Sequence, residues 1–168
     1  LMPDVAILDP KMTKTLPPRI TASTGMDTLC HAIEAFSCLQ KNPLSDAYAA
    51  QAIELVRDYL LKAVCHGYSK EARLAMANAS FLAGAAFSNS MVGVVHAIGH
   101  ALGGVCHVAH GDAMTILLPT GMLFNRKVCK KEYAKLLLYL AGPEIYVKTP
   151  EEKRADRAIH EVLALRNR

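Results

Sequence analysis

Apolar residues recur at three- and four-residue steps along most of this chain, which is the spacing of an amphipathic α-helix. Between residues 20 and 36, for example, Met26, Leu29, Ile33 and Phe36 fall on one helical face. The same pattern predicts helices at about 20–36, 43–64, 70–88, 92–102, from 112 to a kink or end at Pro119, 130–140 and 150–166. The sequence therefore predicts an all-α, helical bundle-like domain with a short extended N-terminal lead-in.

Residues typical of helix ends support several of these boundaries. Asn42-Pro43 predicts a cap followed by proline in the first turn, and Ser69 predicts the cap of the next helix. Thr149 before Pro150 and two glutamates predicts the start of the last helix, with Thr149 as its cap. Gly103-Gly104 predicts the end of the helix before it, with a loop at 104–110.

The first residues differ from the rest. Residues 4–9 (DVAILD) predict one short strand, and three prolines make 10–19 a linker. We therefore divide the chain into a lead-in at 1–19 and a helical domain at 20–168. The abrupt apolar beginning and the helical end without a cap lead us to expect a piece of a longer protein, with the domain itself truncated.

Composition narrows the class of protein. Hydrophobic residues make up 52% of the chain and charged residues 20%, which excludes a disordered chain. Basic residues are scattered and aromatics are sparse, so we expect no nucleic-acid partner. Five cysteines without a CxxC motif indicate reduced thiols and a cytoplasmic protein. No signal-peptide pattern and no long uninterrupted apolar run occur, so we expect no membrane association.

The strongest indication of chemistry is a set of histidines and one aspartate in apolar helical segments. Asp27 and His31 are four residues apart, and so are His96 and His100, while His110 follows shortly afterwards. Four-residue spacing places two side chains on one helical face, close enough to share an ion. A buried histidine is more often a core residue than a ligand, but a buried Asp27 would be costly without a cation or several donors.

Asp27 and His31 could supply one pair of metal ligands, and His96 and His110 could supply two more. One carboxylate with three imidazoles suits Fe²⁺ or Zn²⁺ and leaves the ion Lewis-acidic. A zinc site on Cys106 and His110 is a weaker alternative, because no second cysteine lies nearby. The HAIGH segment is not a zinc-protease motif, since Ala97 stands where that motif has its glutamate. No GxSxG, P-loop or GxGxxG motif occurs.

The motifs themselves are similar to those of a known family. TASTGMDTLCHAIEAF, then FLAGAAFSNSMVGVVHAIGHALGG and HVAHGDAMTILLPTGMLFN, strongly resemble the iron-containing (group III) alcohol dehydrogenases over nearly the whole chain. Leu8-Asp9-Pro10 resembles that family's entry into its metal-binding half. The resemblance implies a C-terminal all-α domain whose nucleotide-binding partner domain is not in this chain.

The resemblance also implies roles for individual residues. The metal ligands would be Asp27, His31, His96 and His110, with Fe²⁺ or alternatively Zn²⁺ as the ion. His100 would lie near the metal and the nicotinamide as a catalytic group, and Phe87 would line the cofactor pocket with it. The full-length protein would transfer hydride between a small alcohol or diol and NAD or NADP. We expect it to form homo-oligomers.

Three other interpretations stay open. The chain could be a metal-binding helical domain without catalysis as it stands. It could also belong to a zinc enzyme of the glycerol dehydrogenase or dehydroquinate synthase type, although those relatives typically use three protein ligands. A metal-dependent hydrolase of unrelated fold would need a general base that the sequence does not indicate.

Overall fold

Helices account for almost all of the regular structure in this protein. The computed structural model describes residues 4–168, and no residue in that range lies in a β-strand. The all-α class predicted from the sequence is confirmed. After a short 3₁₀ helix at Pro10–Thr13, the α-helices are α1 (Pro18–Ser37), α2 (Pro43–Cys65), α3 (Lys70–Ser90), α4 (Val94–Cys106), α5 (His110–Asn125), α6 (Lys130–Ala141), α7 (Pro143–Lys148) and α8 (Glu151–Arg166).

The strand predicted for residues 4–9 is wrong. The structure describes no strand with which these residues could pair, and the carboxylate of Asp9 instead accepts a hydrogen bond from the Lys11 N–H at 2.9 Å to begin the 3₁₀ helix. The linker is also shorter than predicted. Pro18 is the first residue of α1, a position where the missing N–H of proline costs no hydrogen bond.

Two predicted helix caps are confirmed and one is wrong. The Asn42 side chain accepts hydrogen bonds from two backbone N–H groups of α2, and the Ser69 hydroxyl accepts one from α3. At the last helix, however, Pro150 occupies the cap position and α8 begins at Glu151. The Thr149 hydroxyl instead donates to the carbonyl of Ile145 at 2.7 Å, at the end of α7, a helix that the sequence pattern did not predict.

The connection between α4 and α5 also differs from the prediction. α4 continues through Gly103-Gly104 to Cys106, since glycine costs only about 1 kcal/mol within a helix. His107 ends the helix by adopting a left-handed conformation (φ 56°), and its N–H donates to the Gly103 carbonyl. α5 begins at His110 and continues past Pro119 to Asn125. The predicted loop at 104–110 therefore shrinks to residues 107–109.

Helix α1 lies at the centre of the molecule and packs against α2, α3, α5 and α6. Its apolar face is fully buried, with Leu29 and Ile33 inaccessible to solvent. α3 also packs against α1 and carries a stripe of small residues, which allow helices to approach closely. The buried members of this stripe are Ala75, Ala79, Ala83 and Ala86. Burial on both sides of α1 fixes the positions of the polar groups that it carries.

Within the described part of the chain, no single helix is long and apolar enough to cross a membrane. One pair of helices, α3 and α4, meets the length and composition requirements only when both are taken together, and the two are bent by 104° at the break between them.

Candidate metal centre

Asp27 and His31 lie one turn apart on α1, as their spacing predicts, and both side chains are 20% exposed. The Nδ1 atom of His31 is 3.1 Å from the main-chain oxygen of Asp27 and 3.5 Å from its carboxylate Oδ1. The Phe87 ring stacks on the His31 ring with centroids 4.6 Å apart. The one-turn spacing on α1 and the stacking of Phe87 thus hold the imidazole of His31 beside the carboxylate of Asp27.

Three ligand atoms from three different helices meet at this carboxylate. Oδ1 of Asp27 lies 3.3 Å from Nε2 of His110 on α5 and 3.5 Å from Nε2 of His96 on α4. Asp27, His96 and His110 form a group whose ligand atoms lie close enough together to hold one metal ion.

The donor set fits a cation. Asp27 Oδ1 and His96 Nε2 are both buried, and within the described range 4–168 neither makes a hydrogen bond of good geometry. The nearest polar neighbours of Asp27 Oδ1 are His96 Nε2 and His110 Nε2, at 3.5 and 3.3 Å. Buried polar atoms without partners are rare and costly in folded proteins. A divalent ion bound between these two atoms would satisfy both, which a neighbouring apolar side chain could not do.

His31 lies beside this three-residue group. Its ring is tilted against that of His96, with centroids 4.1 Å apart. The geometry therefore brings all four ligands implied by the family resemblance into one cluster, with Asp27, His96 and His110 as its tightest part. The assignment of the four as ligands stays a prediction.

Glu34 is a buried residue of the site that the sequence analysis did not identify. Its Oε2 atom is 2.6 Å from Nδ1 of His96, and its Oε1 accepts a hydrogen bond from the Val95 N–H at 2.7 Å. Glu34 follows His31 by three residues in the apolar segment HAIEAF. A carboxylate in that position is the signal that could have indicated it, because charged residues are seldom buried without a partner.

The electrostatics of the cluster favour a positive charge at its centre. Burial opposes ionisation of Asp27 and of Glu34, yet the facing histidines and, for Glu34, backbone N–H groups outweigh it and hold the pKa of each carboxyl below its usual value. Burial likewise disfavours protonation of His96, but the two carboxylates raise its pKa to about 9. For His31, burial prevails and lowers the pKa.

A second buried group, on the other side of the His96 ring, is less suited to a metal. Cys30 Sγ lies 3.8 Å from His96 Nδ1, and Glu34 is adjacent. Burial raises the pKa of the Cys30 thiol well above its ordinary value, so a metal ion here would have to displace a tightly held proton. The Glu34 oxygens already accept hydrogen bonds there. Cys106, the weaker zinc candidate, is exposed and belongs to neither convergent group among residues 4–168.

His100 lies at the exposed edge of the cluster. Its ring stacks on that of His110 with centroids 5.3 Å apart and meets the His96 ring edge-on at 5.7 Å. His96 is 1% exposed, whereas His100 is exposed and the His110 side chain is 43% exposed. The cluster is therefore closed on the Glu34 side and open on the side of His100 and His110.

Two cavities adjoin the site. A cleft of about 670 Å³ is lined by Asp27, His31 and Phe87 together with other residues of α1 and α3 and three residues that precede α1. It gives a small molecule access to the carboxylate and to the stacked rings. A second, largely apolar cavity of about 620 Å³ lies behind the site and reaches Glu34 but none of the four predicted ligands.

Comparison with known families gives a match over most of the chain. The model of the Fe-containing alcohol dehydrogenase family, C-terminal, matches residues 21–168. Long-chain-alcohol dehydrogenase 1 of Geobacillus thermodenitrificans (strain NG80-2) is 45% identical over 151 residues, which are 90% of this chain and 38% of that protein.

Solved structures give the same result. A crystal structure of 1,3-propanediol oxidoreductase matches with a TM-score of 0.93 and 38% identity, over 98% of this chain and 42% of that one. Sulfoacetaldehyde reductase from Bifidobacterium kashiwanohense, in complex with NAD⁺, matches with a TM-score of 0.81 and 34% identity, over 98% of this chain and 42% of that one. The chain spans about two fifths of the length of these relatives.

Proposed function

The chain belongs to the Fe-containing alcohol dehydrogenase family, of which it is the C-terminal part, and on this premise we propose that the full-length protein is a metal-dependent alcohol dehydrogenase. It would transfer hydride reversibly between a small alcohol or diol and NAD or NADP. The observation that carries the proposal is the convergence of Asp27, His96 and His110 on a buried point where, among residues 4–168, two polar atoms make no hydrogen bond of good geometry.

Asp27, His31, His96 and His110 would hold the metal. We propose Fe²⁺, after the family, with Zn²⁺ as the alternative, because both ions accept carboxylate and imidazole ligands. When bound, the ion supplies a Lewis acid that lowers the pKa of an alcohol or polarises a carbonyl. Asp27 brings one negative charge to a cluster of neutral imidazoles, which leaves that acidity largely intact.

The remaining residues would bind and orient the reactants. Phe87 forms an apolar wall of the cleft at Asp27 and His31, which suits the flat face of a nicotinamide. His100, exposed beside His110, is placed to exchange a proton between the site and solvent. Both would meet the nucleotide-binding domain that the family resemblance implies.

Relatives support the choice of reactants. Their names include a long-chain-alcohol dehydrogenase, a 1,3-propanediol oxidoreductase and a sulfoacetaldehyde reductase with NAD⁺. We therefore propose a small alcohol or aldehyde as substrate and a homo-oligomeric full-length protein. We propose the cytoplasm as its compartment, because all five cysteines are free.

Metal analysis of two neighbouring histidine variants tests this proposal. After anaerobic purification, wild type is expected to hold about one Fe or Zn per chain, while His96→Gln loses the metal because a buried ligand is gone. His100→Gln is expected to keep the metal and, in the full-length protein, to lower the rate of NAD(P)H oxidation by aldehydes by about 10²-fold or more. Full metal content in the His96 variant would overturn the ligand assignment.

A metal-binding domain without catalysis is the second candidate. The observation that favours it is the open side of the cluster, where His100 and His110 are exposed. If this chain alone binds metal but oxidises no NAD(P)H with any of a panel of aldehydes, the result favours this candidate for the isolated domain.

A further inference from the structure

Glu34 meets the beginning of α4 from another helix. The first N–H groups of an α-helix have no partner within the helix, and a cap usually supplies one. α4 has Gly93 at its cap position, and glycine has no side chain to accept a hydrogen bond from these N–H groups. Glu34 of α1 instead accepts hydrogen bonds from the N–H of Val95 at 2.7 Å and of His96 at 3.3 Å. Its negative charge also faces the positive end of the α4 dipole.

The same carboxylate holds the His96 ring. Oε2 of Glu34 lies 2.6 Å from Nδ1 of His96, and the side chains are 6% and 2% exposed. When Nδ1 is protonated and its N–H donates a hydrogen bond to Glu34, the lone pair of Nε2 lies on the other side of the ring. That is the side on which Asp27 Oδ1 lies, 3.5 Å away.

Gly93 makes room for this contact. A Cβ at residue 93 would lie 2.8 Å from Oε1 of Glu34, closer than real Cβ contacts occur. The φ of Gly93 is −131°, which any residue can adopt, so the requirement is for space.

We infer that Glu34 is a positioning residue for the proposed metal site: it caps α4 from α1 and holds His96 with Nδ1 protonated and Nε2 free for the ion. It thereby fixes Asp27 and His31 on one helix against His96 on another. The inference rests on the proposed function, and it assigns to Glu34 the carboxylate–histidine contact that tunes many protein metal sites.

The chemistry of an amide gives a specific test. Three N–H groups point at the two oxygens of Glu34: two from the backbone and Nδ1–H of His96. Glutamine has one oxygen and one NH₂ group, so Glu34→Gln must set NH₂ against one of these N–H groups. The least costly change is for His96 to move its proton to Nε2, where it points at Asp27 and blocks the ion.

Two measurements follow. Competition with a chelator for Zn²⁺ or Fe²⁺ is expected to give an affinity about 10- to 100-fold weaker for Glu34→Gln than for wild type. Long-range ¹H–¹⁵N spectra of the metal-free protein, recorded above the pH at which a titration shows the ring to be neutral, are expected to show Nδ1–H for wild type and Nε2–H for the variant. The ring signals that disappear in the His96→Gln variant are those of His96.

Glu152→Gln is the matched control, because it makes the same change at an exposed position of α8 and is expected to match wild type in both measurements. Gly93→Ala is the second variant, since it keeps the carboxylate and displaces it. It is expected to weaken metal binding in the same direction, and it decides the matter if Glu34→Gln does not fold.

The inference would be overturned if a folded Glu34→Gln protein bound metal as tightly as wild type and kept Nδ1–H. If only Gly93→Ala folds, wild-type metal affinity together with Nδ1–H in that variant would overturn it. Failure of the proposed function is distinguishable from this. If wild type itself bound no metal, the metal site would be refuted, whereas the spectra of the metal-free protein would still decide whether Glu34 sets the tautomer.

Discussion

His96 and His100 show how strongly identical residues at helical spacing can differ. Spacing alone made them equivalent, and only the family resemblance assigned them different roles. In the structure His96 is buried against Glu34 and Asp27, while His100 is exposed beside His110. The difference arises from where α4 lies relative to α1, and a pattern within one helix carries no information about that.

The glycine beside His110 sets another close approach between helices. A Cβ at Gly111 would lie 3.0 Å from the backbone carbonyl of Ser23 on α1, and backbone atoms cannot move aside as a flexible side chain can. Gly84 in α3 is the matched case, since a Cβ there would meet nothing within 4 Å. The two glycines should therefore respond oppositely to the same substitution.

Gly84→Ala is expected to stabilise the metal-free protein by about 0.5–1 kcal/mol, because alanine is the better helix former. Gly111→Ala is expected to destabilise it by about 1–2 kcal/mol, because α5 must move away from α1, and to weaken metal binding by displacing His110. Urea unfolding and metal competition measure both effects. Equal stability changes in the two variants would contradict the importance of the Gly111 contact.

At the scale of helices, local signals were sufficient where the cap is made by the helix's own residues. Asn42 and Ser69 were recognisable for this reason. Local signals were insufficient where a helix end depends on residues that are distant in sequence. α4 is capped by Glu34, 61 residues before Val95, and ends at His107 rather than at its glycines. Glu34 was overlooked on the same ground, since its partners lie on another helix.

Arg73 joins three segments in a comparable way. Its buried guanidinium donates to the Gly67 carbonyl at 2.8 Å, the Thr21 hydroxyl at 2.7 Å and the Leu16 carbonyl at 3.1 Å. Arg73, near the start of α3, is therefore hydrogen-bonded to three other segments. These are the residues before α1, the first turn of α1, and the turn between α2 and α3. No carboxylate within the described residues forms an ion pair with it.

Arg73→Met is expected to lower the free energy of unfolding by about 2–4 kcal/mol, because it leaves buried acceptors without donors. Arg157→Met is the control, since Arg157 is exposed and, among residues 4–168, pairs with Glu161 one turn away and with no other carboxylate, and it should cost less than about 0.5 kcal/mol. Urea unfolding at neutral pH compares the two. A loss for the Arg73 variant no larger than that of the control would show that the buried hydrogen bonds contribute little.

Across the whole molecule, the proposed ligands lie far apart in sequence and close together in space. Asp27 and His31 belong to the central helix α1, while His96 and His110 belong to α4 and α5. Without an ion, two carboxylates and a buried histidine of raised pKa face one another. An ion bound there would link three helices, so metal binding and stability should be coupled.

Metal removal tests this coupling. With free metal at about a hundred times its dissociation constant, wild type is expected to gain about 2.7 kcal/mol over the metal-free form. For a chain of this length that corresponds to a rise in Tm of about 5–11 °C, which a chelator should reverse. Asp27→Asn is expected to lose this increment while His66→Asn, at an exposed position, retains it. Because each variant is compared with its own metal-free form, any change in the stability of that form cancels, and an increment of wild-type size in Asp27→Asn would place the metal elsewhere on the protein.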